Sequence, residues 1–579
     1  MSRFALLALF AIPCALPTGA APVPPAPPPT PVRDWPMNGG TTARNMVSPH
    51  EKLEKFPTTA PNWEENAEAV KKWEAEWVVW KAKLGSRTYG SPVVAGGRVY
   101  VGTNNASTRN KRDTKKNADG EIESIDRGIV MCFDEKTGKF LWQAVHDKLP
   151  SIVNDWPEIG LSSTPTVVGD RLYYVSNQCR VVCLDVNGFA NGNQGVQTEK
   201  YKDATDADFI WEYDMMKELK VFPHNGSHCS PLVVGDFVYV CTGNGVDENH
   251  INLPSPDAPS LICLDRNTGK LLWKDSSPGK NIMHAQWSSP SFSPDPVPQV
   301  IQGQGDGWLR AFDPATGKVL WQFDCNRKDA VYELGGTGTR SDFLAMPVVH
   351  GGRVYIGTGQ DPDHSAGLAH LWCIDLKKAV ALGAKAKDRE VSPDLFVAAH
   401  KQPNGDVVVV TKPNPESALA WVYGGEENRK WAPRDFKFGR TMSTVAVVGD
   451  IVYAAELHGY LHCLNAKTGE PYWQYDTKAT IWGSPFFADD KVFLATDAAD
   501  LWVFKHDKKP EKYDWVAASQ GAPDRKAARV IQKAHRAAVA KAYLLATVEL
   551  PAGIKNTPIV VNGVLYVATE NTLYAIKGK

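Results

Sequence analysis

Short apolar segments alternate with turn residues along most of the chain, in a spacing that predicts β-strands. The clearest example is residues 263–273 (CLDRNTGKLLW), where an alternating apolar segment, a Thr-Gly turn and a segment ending in tryptophan follow one another. Two short strands joined by a tight turn predict a β-hairpin. A second hairpin precedes it at residues 230–240, with its turn at Gly235-Asp236. Two consecutive hairpins predict one four-stranded antiparallel sheet.

The tryptophan hairpin recurs, and its recurrence predicts the fold. The same order of small residue, Asp or Asn, Thr-Gly turn and Trp appears at residues 132–142, 311–321 and 463–473. A self-similar unit indicates a repeat architecture. Repeated four-stranded sheets predict a β-propeller. We count eight inner hairpins, which begin at Pro92, Pro165, Pro231, Pro290, Pro347, Thr444, Pro485 and Pro558.

The ring is expected to close through a strand near the N-terminus. The eighth repeat ends at residues 574–577, before its outer strand, while residues 77–82 (WVVWKA) form an unassigned strand ahead of the first repeat. Pairing the two would remove exposed sheet edges, which invite aggregation. The predicted fold is therefore an all-β, eight-bladed propeller over residues 34–579, closed by an N-terminal strand.

Loop lengths predict which end of the propeller carries function. Long polar loops gather on one mouth, here called the long-loop mouth: residues 212–229, 243–260, 322–346 and 358–369. Binding residues concentrate where variable loops converge on a rigid scaffold. The opposite mouth carries insertions at residues 186–210, 377–419 and 506–541. Within the last insertion, residues 524–545 predict a helix packed on the flank through Val530, Ile531, Ala534, Ala538 and Ala542.

The N-terminus has the composition of an export signal. A short charged start precedes the apolar residues 4–16 and small residues at 18–20. We expect residues 1–20 to be a signal peptide, too short for a spanning helix, and the Pro-rich residues 21–33 to be an extended tether. Cys14 lies in a poor lipoprotein context, so lipid anchoring is not expected. The sequence thus predicts an exported protein of the periplasm or cell surface.

Charge and the lack of further apolar segments indicate which partners are not expected. The net charge of −1 does not favour nucleic acid, and no further segment is apolar enough to cross a bilayer. We expect a monomer.

Five cysteines occupy the same small-residue slot of their blades, which predicts buried core residues. A disulfide remains open only for Cys229 and Cys241, which face each other diagonally across a turn.

The blade motif resembles the pyrroloquinoline quinone (PQQ) repeat family, from about Ser91 to Lys579. That family includes quinoprotein alcohol and methanol dehydrogenases and non-catalytic relatives such as the outer-membrane-assembly lipoprotein propeller. The stretch from Asp206 through Pro259 also looks like PQQ-like propellers of planctomycete bacteria. The resemblance implies that tryptophans dock each blade on the Thr-Gly turn of its neighbour. These are Trp142, Trp211, Trp273, Trp321, Trp421 and Trp473.

In the dehydrogenases, the resemblance implies a Ca²⁺ ion that polarises PQQ and is held by an Asn and a Glu. Asn244 matches the Asn, and Gln360 ends a similar segment two blades later. Residues 176–180, where the Glu is expected, contain no carboxylate. The chain also has no adjacent cysteine pair and no Cys-x-x-Cys-His haem motif. PQQ and Ca²⁺ therefore remain open as cofactors without being the favoured prediction.

Histidines and carboxylates of the long-loop mouth form a second candidate site. His224 and His228 lie just before the third blade, whose second strand leads into the loop at residues 243–260. His284 lies at the start of the next blade. Such a cluster can bind a divalent ion, and the alternative is a polar rim that holds its own loops by hydrogen bonds. A thinner cluster lies at residues 361–370. The predicted metal ligands are Asn244, Asp247, Glu248 and His250.

Two functions are consistent with these features. The first is a non-catalytic binding or scaffold protein of the cell envelope, with a protein or envelope component bound at the long-loop mouth. The second is a PQQ- and Ca²⁺-dependent dehydrogenase that oxidises an alcohol or sugar. The missing Glu and the missing cysteine pair favour the first. No catalytic residue is predicted.

Overall fold

The chain folds as a ring of eight sheets in the computed structural model; each contains four antiparallel strands, and one sheet has an additional fifth strand. The structure describes residues 34–577 except 336–337, 360–366, 402–406, 426–435, 514–518 and 520. The predicted signal peptide and tether lie outside this part. Each sheet is one blade, and its four antiparallel strands follow chain order from the axis outwards except in the eighth, which confirms the predicted eight-bladed propeller.

The strands of blades 1 to 4 follow the predicted hairpins. Blade 1 contains Val93–Ala95, Arg98–Asn104, Arg127–Asp134 and Phe140–Asp147. Blade 2 contains Thr166–Val168, Arg171–Val175, Arg180–Asp185 and Asp208–Asp214. Blade 3 contains Leu232–Val234, Phe237–Cys241, Leu261–Asp265 and Leu271–Asp275. Blade 4 contains Ser291–Ser293, Gln299–Gly303, Trp308–Phe312 and Val319–Asp324.

Blades 5 to 8 complete the ring. Blade 5 contains Val348–His350, Arg353–Gly357, His370–Asp375 and Leu419–Gly424. Blade 6 contains Ala446–Val448, Ile451–Ala455, Tyr460–Asn465 and Pro471–Asp476. Blade 7 contains Phe486–Ala488, Lys491–Ala495, Asp500–Lys505 and Leu544–Glu549. Blade 8 contains Ile559–Val561, Val564–Ala568, Thr572–Ile576 and Val78–Lys83.

The ring closes through the N-terminal strand, as predicted. Val78–Lys83 pairs antiparallel with Thr572–Ile576, and Trp80 lies opposite Ala575. In the same register, Trp273 lies opposite Cys263 and Trp321 opposite Ala311. A small residue stands opposite each of these tryptophans because the two side chains share one cross-strand position.

The predicted docking tryptophans reach the neighbouring blade. Trp273 Nε1 donates to Pro314 O at 2.9 Å, and a Cβ on Gly317 would lie 2.6 Å from the Trp273 ring. Gly317 also has φ +69°, so this turn position favours glycine on both counts. The same donation to a turn carbonyl occurs for Trp80, Trp142, Trp211 and Trp421.

Two of the tryptophans depart from this pattern. Trp321 Nε1 donates to Gln299 Oε1 at 2.8 Å, and the ring's neighbour in the next blade is Gly383. Trp473 instead stacks on Tyr543 with ring centroids 5.1 Å apart. Both are fully buried. In blades 5 and 7 an insertion follows the third strand, so a helix replaces the Thr-Gly turn as the docking surface.

An N-terminal belt, residues 35–51, runs across the inner strands of the ring. Trp35 exchanges two backbone hydrogen bonds with Val94 in blade 1, and further backbone bonds reach blades 2, 4, 5 and 7. Arg44 is fully buried, and its guanidinium donates to the carbonyls of Asn38, Ser230, Pro231 and Pro290. Val47–Ser48 adds a parallel fifth strand to blade 7. No hydrophobic periodicity predicts this segment from the sequence.

Within the described residues, several helices and hairpins lie outside the blades, and four of the helices contact outer strands. The α-helices are Ala67–Trp77, Met215–Leu219, Leu376–Gly383 and Arg525–Tyr543. Short 3₁₀ turns are Lys111–Asp113, Gly188–Asn191, Gly279–Asn281 and Lys387–Arg389. Two additional hairpins are formed by Thr114–Lys116 with Ile122–Ser124 and by Asp394–Lys401 with Val407–Pro413. No helix in the described part is long and apolar enough to span a membrane.

The predicted helix of the last insertion exists, but its predicted packing face was wrong. Arg525–Tyr543 buries Ala528, Val539 and Tyr543, whereas Val530 is 63% exposed. The packed stripe is set by Tyr543, which stacks on Trp473 and thereby fixes the rotation of the helix. Alanine spacing in a short amphipathic segment could not identify that anchor.

Cysteines are buried and unbonded in the described part of the chain. Cys132, Cys183, Cys263, Cys373 and Cys463 occupy the small slot opposite the docking tryptophans. Cys229 and Cys241 are also free, and the backbone N–H of Cys241 donates to Cys229 Sγ at 3.2 Å. These thiols therefore serve as small packing groups.

Candidate functional site

A funnel opens on the long-loop mouth at the axis of the ring. Its cavity is about 730 Å³, within the range of ligand pockets. The floor is formed by the residues that precede each inner strand. Seven of these carry a hydroxyl: Ser91, Thr164, Ser230, Ser289, Thr444, Ser484 and Thr557.

The floor hydroxyls link neighbouring blades by hydrogen bonds. The backbone N–H of Ser91 donates to Thr164 Oγ1 at 3.0 Å, and Thr164 N–H donates in turn to Ser230 Oγ at 3.2 Å. The same bond recurs around the ring in seven of eight blade junctions. Met346 has no hydroxyl, so the junction from Ser289 lacks the bond. The floor is thus both polar and rigid.

The walls of the funnel combine aromatic rings with cations. Trp482 and Tyr89 meet edge to face at 5.8 Å, and Lys555 Nζ lies 5.4 Å from the Tyr89 ring centroid. Across the funnel, Trp287 faces His228, and Trp156 at the lip is 45% exposed. Aromatic faces with a few polar groups are typical of binding pockets.

Asn244, the predicted calcium ligand, is fully buried and braces the loops beside the funnel. Its Oδ1 accepts from the backbone N–H of Phe222 at 3.0 Å, and its Nδ2 donates to Ser255 O at 2.8 Å. Gln286 Nε2 donates to the backbone carbonyl of Asn244 at 3.0 Å. Both ends of the side-chain amide therefore hold backbone groups of neighbouring loops.

The three other predicted metal ligands differ in their positions. Asp247 closes residues 247–252 into a tight loop, because its carboxylate accepts from the N–H groups of Ile251 and Asn252 and from Asn252 Nδ2. Those hydrogen bonds hold the pKa of Asp247 below its usual range, led by the bond from the Asn252 side chain. Glu248 is exposed at the rim of the funnel. Only His250 joins a cluster.

Three histidines from three loops meet beside the funnel. The ring centroids of His224 and His284 are 4.4 Å apart, those of His250 and His284 4.7 Å, and those of His224 and His250 4.8 Å. One nitrogen from each ring can be chosen so that all three lie within 4.8 Å of one another. His224 and His284 are buried, and His250 is half-buried. We call this group the histidine triangle.

The backbone of the long loops builds the triangle. Val246 N–H donates to His284 O at 2.9 Å, and His224 Nδ1 donates to Val246 O at 2.9 Å. A Cβ on Gly245 would lie 2.5 Å from His284 O, so glycine is needed for this close approach. Residues 242–245 (TGNG) therefore act here as a junction between loops.

His228, the fourth histidine of the mouth, has a separate environment. Its Nδ1 is hydrogen-bonded to the Ser162 hydroxyl, and its ring meets Trp287 edge to face at 5.0 Å. Burial lowers the pKa of His228 from 6.5 to about 4. The ring is thus neutral at pH 7 and belongs to the funnel wall.

The residues present do not fit a Ca²⁺–PQQ centre of the dehydrogenase type. Ca²⁺ takes six to eight oxygen ligands, whereas the amide of Asn244 is committed to Phe222 and Ser255. In the loop at residues 176–180, Asn177 Nδ2 donates to Asp147 O and Asp155 Oδ2. Gln360 and residues 361–364 of the second predicted cluster lie outside the described residues.

Comparison with known proteins defines the family. Residues 126–421 and 397–548 match the PQQ-repeat family described as outer membrane protein assembly factor BamB. The matched segments cover more than half of the chain, and the protein belongs to this family. Its description names an outer membrane protein, so the family includes envelope proteins, as the resemblance of the blade motif implied.

Individual relatives are distant. The outer membrane protein assembly factor BamB of Moranella endobia is 22% identical over 400 residues, 68% of this chain and 86% of that protein. Polyvinylalcohol dehydrogenase of Sphingopyxis sp. is 35% identical over 108 residues, and the match spans 17% of this chain and only 16% of that enzyme. A europium-containing methanol dehydrogenase is similar in structure with a TM-score of 0.52 at 12% identity, over 94% of this chain and 98% of that one. That likeness shows the shared fold.

Proposed function

We propose that this protein is an exported, non-catalytic propeller of the cell envelope that binds a protein or another envelope component at the long-loop mouth. The observation that carries the proposal is the funnel itself. It combines a rigid hydroxyl floor, aromatic walls and an exposed tryptophan lip in one open concave surface. Such surfaces bury ligand groups while a few polar contacts fix their orientation.

The engagement of Asn244 supports a binding role over quinone chemistry. The dehydrogenase alternative needs an oxygen-rich cation site beside the quinone. Here the family-like Asn holds the Phe222 and Ser255 backbones, and the equivalent loop one blade earlier offers Asn177 in a comparable bracing role. The loops that carry a cofactor in the enzymes are used in this chain to shape the mouth.

The two functions are separated by a cofactor titration. The purified protein is mixed with PQQ and millimolar Ca²⁺, and the melting temperature is measured together with dye-linked oxidation of alcohols and sugars. Binding to the folded state must raise the melting temperature with the logarithm of excess ligand. We expect no shift and no oxidation. A shift that Asn244→Ala abolishes, accompanied by oxidation, would establish the dehydrogenase instead.

The binding role is tested by partner capture with a matched control. We expect an envelope component to be retained by the wild-type protein and lost with Trp156→Ala, which removes the exposed lip of the funnel. Leu272 is similarly exposed, at 44%, but lies on the outer strand of blade 3. Leu272→Ala should retain the partner, and equal retention by both variants would contradict the mouth as the binding surface.

A further inference from the structure

We propose that the histidine triangle binds one divalent transition metal ion of the zinc class, with an open coordination position towards the funnel. His224 and His250 both line the funnel, so an ion held between the rings borders the cavity. Three protein ligands and one open position are the arrangement of zinc sites that accept a further ligand. The site is distinct from the Asn244 position that the family resemblance indicated.

The donor set selects the class of metal. Imidazole nitrogen suits zinc, copper and nickel, whereas Ca²⁺ and Mg²⁺ are bound by oxygen. Of the two predicted carboxylates, Asp247 is committed to the backbone of its own loop and Glu248 is exposed at the rim. A site of three imidazoles therefore favours Zn²⁺ and disfavours Ca²⁺.

The distances are close to those of a bound metal. The three nitrogens lie within 4.8 Å of one another, and Zn–N bonds of about 2.0–2.1 Å place tetrahedral ligands roughly 3.4 Å apart. Closure by up to about 1.4 Å is thus needed. His250 is half-buried at the rim on the short loop that Asp247 closes, so its side chain is the one of the three with room to move towards the buried rings.

The surrounding hydrogen bonds orient the rings. His224 Nδ1 donates to Val246 O at 2.9 Å, which fixes the tautomer in which Nε2 carries the lone pair. Histidine ligands of metals commonly donate their other nitrogen to a carbonyl in this way. Val246 N–H also donates to His284 O, so a single residue ties together two of the ligand loops.

Metal binding is tested with the full-length protein after removal of metal by a chelator. Co²⁺ is added as an optical probe, and Zn²⁺ is titrated by calorimetry. We expect one equivalent of each, visible bands of tetrahedral Co²⁺ that Zn²⁺ bleaches, and no effect of Ca²⁺ at the same concentration. Protons compete with the metal for imidazole nitrogen, so affinity should fall in acid.

Single substitutions assign the site. His250→Ala and His284→Gln should each weaken Zn²⁺ binding by more than about 100-fold, since loss of outer contacts alone costs 10–100-fold. His228→Gln is the matched control in the same mouth and should leave the affinity unchanged. Asp247→Ala loosens the loop of His250 without removing a ligand. Its Zn²⁺ affinity should therefore lie between that of His228→Gln and those of the two variants that lose a ligand.

The outcomes distinguish the proposal from a structural role. Melting in chelator reports the fold of each variant, and His250→Ala at the half-buried rim is expected to melt as the wild type does. If the buried His284→Gln variant does not fold, the Zn²⁺ affinity of the His250→Ala variant alone tests the assignment. Absence of Co²⁺ bands in the wild type, or an equal loss of affinity with His228→Gln, would overturn the assignment.

Discussion

His146 is a buried histidine whose protonation should weaken the fold in acid. His146, on the outer strand of blade 1, is 3% exposed, and its Nε2 lies 2.7 Å from the Tyr174 hydroxyl. Burial lowers its pKa from 6.5 to about 3. The fold therefore holds the neutral ring, while the unfolded chain binds a proton near pH 6.5. Protonation of the unfolded state below that pH favours unfolding.

We expect the contribution of His146 to the free energy of unfolding to be complete above about pH 6.5 and to decline as the pH falls towards 3. The decline can reach about 1.4 kcal/mol per pH unit. His146→Gln keeps a polar group beside Tyr174 but does not titrate, so its stability should fall less steeply between pH 6.5 and 4.5. Urea unfolding over that interval measures both slopes. Parallel slopes would mean that His146 does not titrate with folding.

At the scale of the structural element, seven of the eight blades are fixed by a docking tryptophan and by the small residue opposite, whereas blade 7 has Ala546 opposite Val503 in that register. Hairpin positions, blade number and the Cys or Ala slot could be predicted because they depend on local periodicity and turn chemistry. The docking of Trp321 and Trp473 could not, because insertions replace the Thr-Gly turn that each would meet. The face of Arg525–Tyr543 was set by a tertiary contact that the local pattern does not contain.

The depth of docking predicts how much each tryptophan contributes. Trp321 is fully buried, so Trp321→Ala should lower the free energy of unfolding by about 3–5 kcal/mol. Trp273 is half-buried, and its replacement should cost less. Leu272→Ala, at the exposed neighbouring position, provides the control. Chemical denaturation ranks the three, and equal losses for Trp321 and Trp273 would contradict burial as the cause.

At the scale of the whole molecule, two segments near the N-terminus hold the ring together, the closing strand and the belt. The closing strand Val78–Lys83 was predictable, because an unpaired eighth blade leaves an edge to be filled. The belt was not predictable. Its contacts are backbone hydrogen bonds and the carbonyls around Arg44, and neither leaves a periodic pattern in the sequence. The candidate site divides similarly. Its histidines and its mouth were predictable, but their convergence and the bracing role of Asn244 depend on loop paths.

The belt should contribute to stability well beyond its length. Removal of residues 1–53 takes away the buried Arg44, Trp35 and their bonds to several blades, so we expect a lower melting temperature and exposure of the inner strands. Removal of residues 1–33 is the control and should leave melting unchanged. Identical melting of the two truncated proteins would contradict the belt as a stabilising element.

Site-specific photo-crosslinking in the envelope can show whether the long-loop mouth is the surface that binds a partner. A photoreactive residue replaces Trp156 at the lip of the funnel in one variant and Leu272 on the flank of blade 3 in another. We predict a discrete crosslinked product from position 156 and none from position 272. No product at the lip, or the same product from both positions, would mean that the long-loop mouth is not the binding surface.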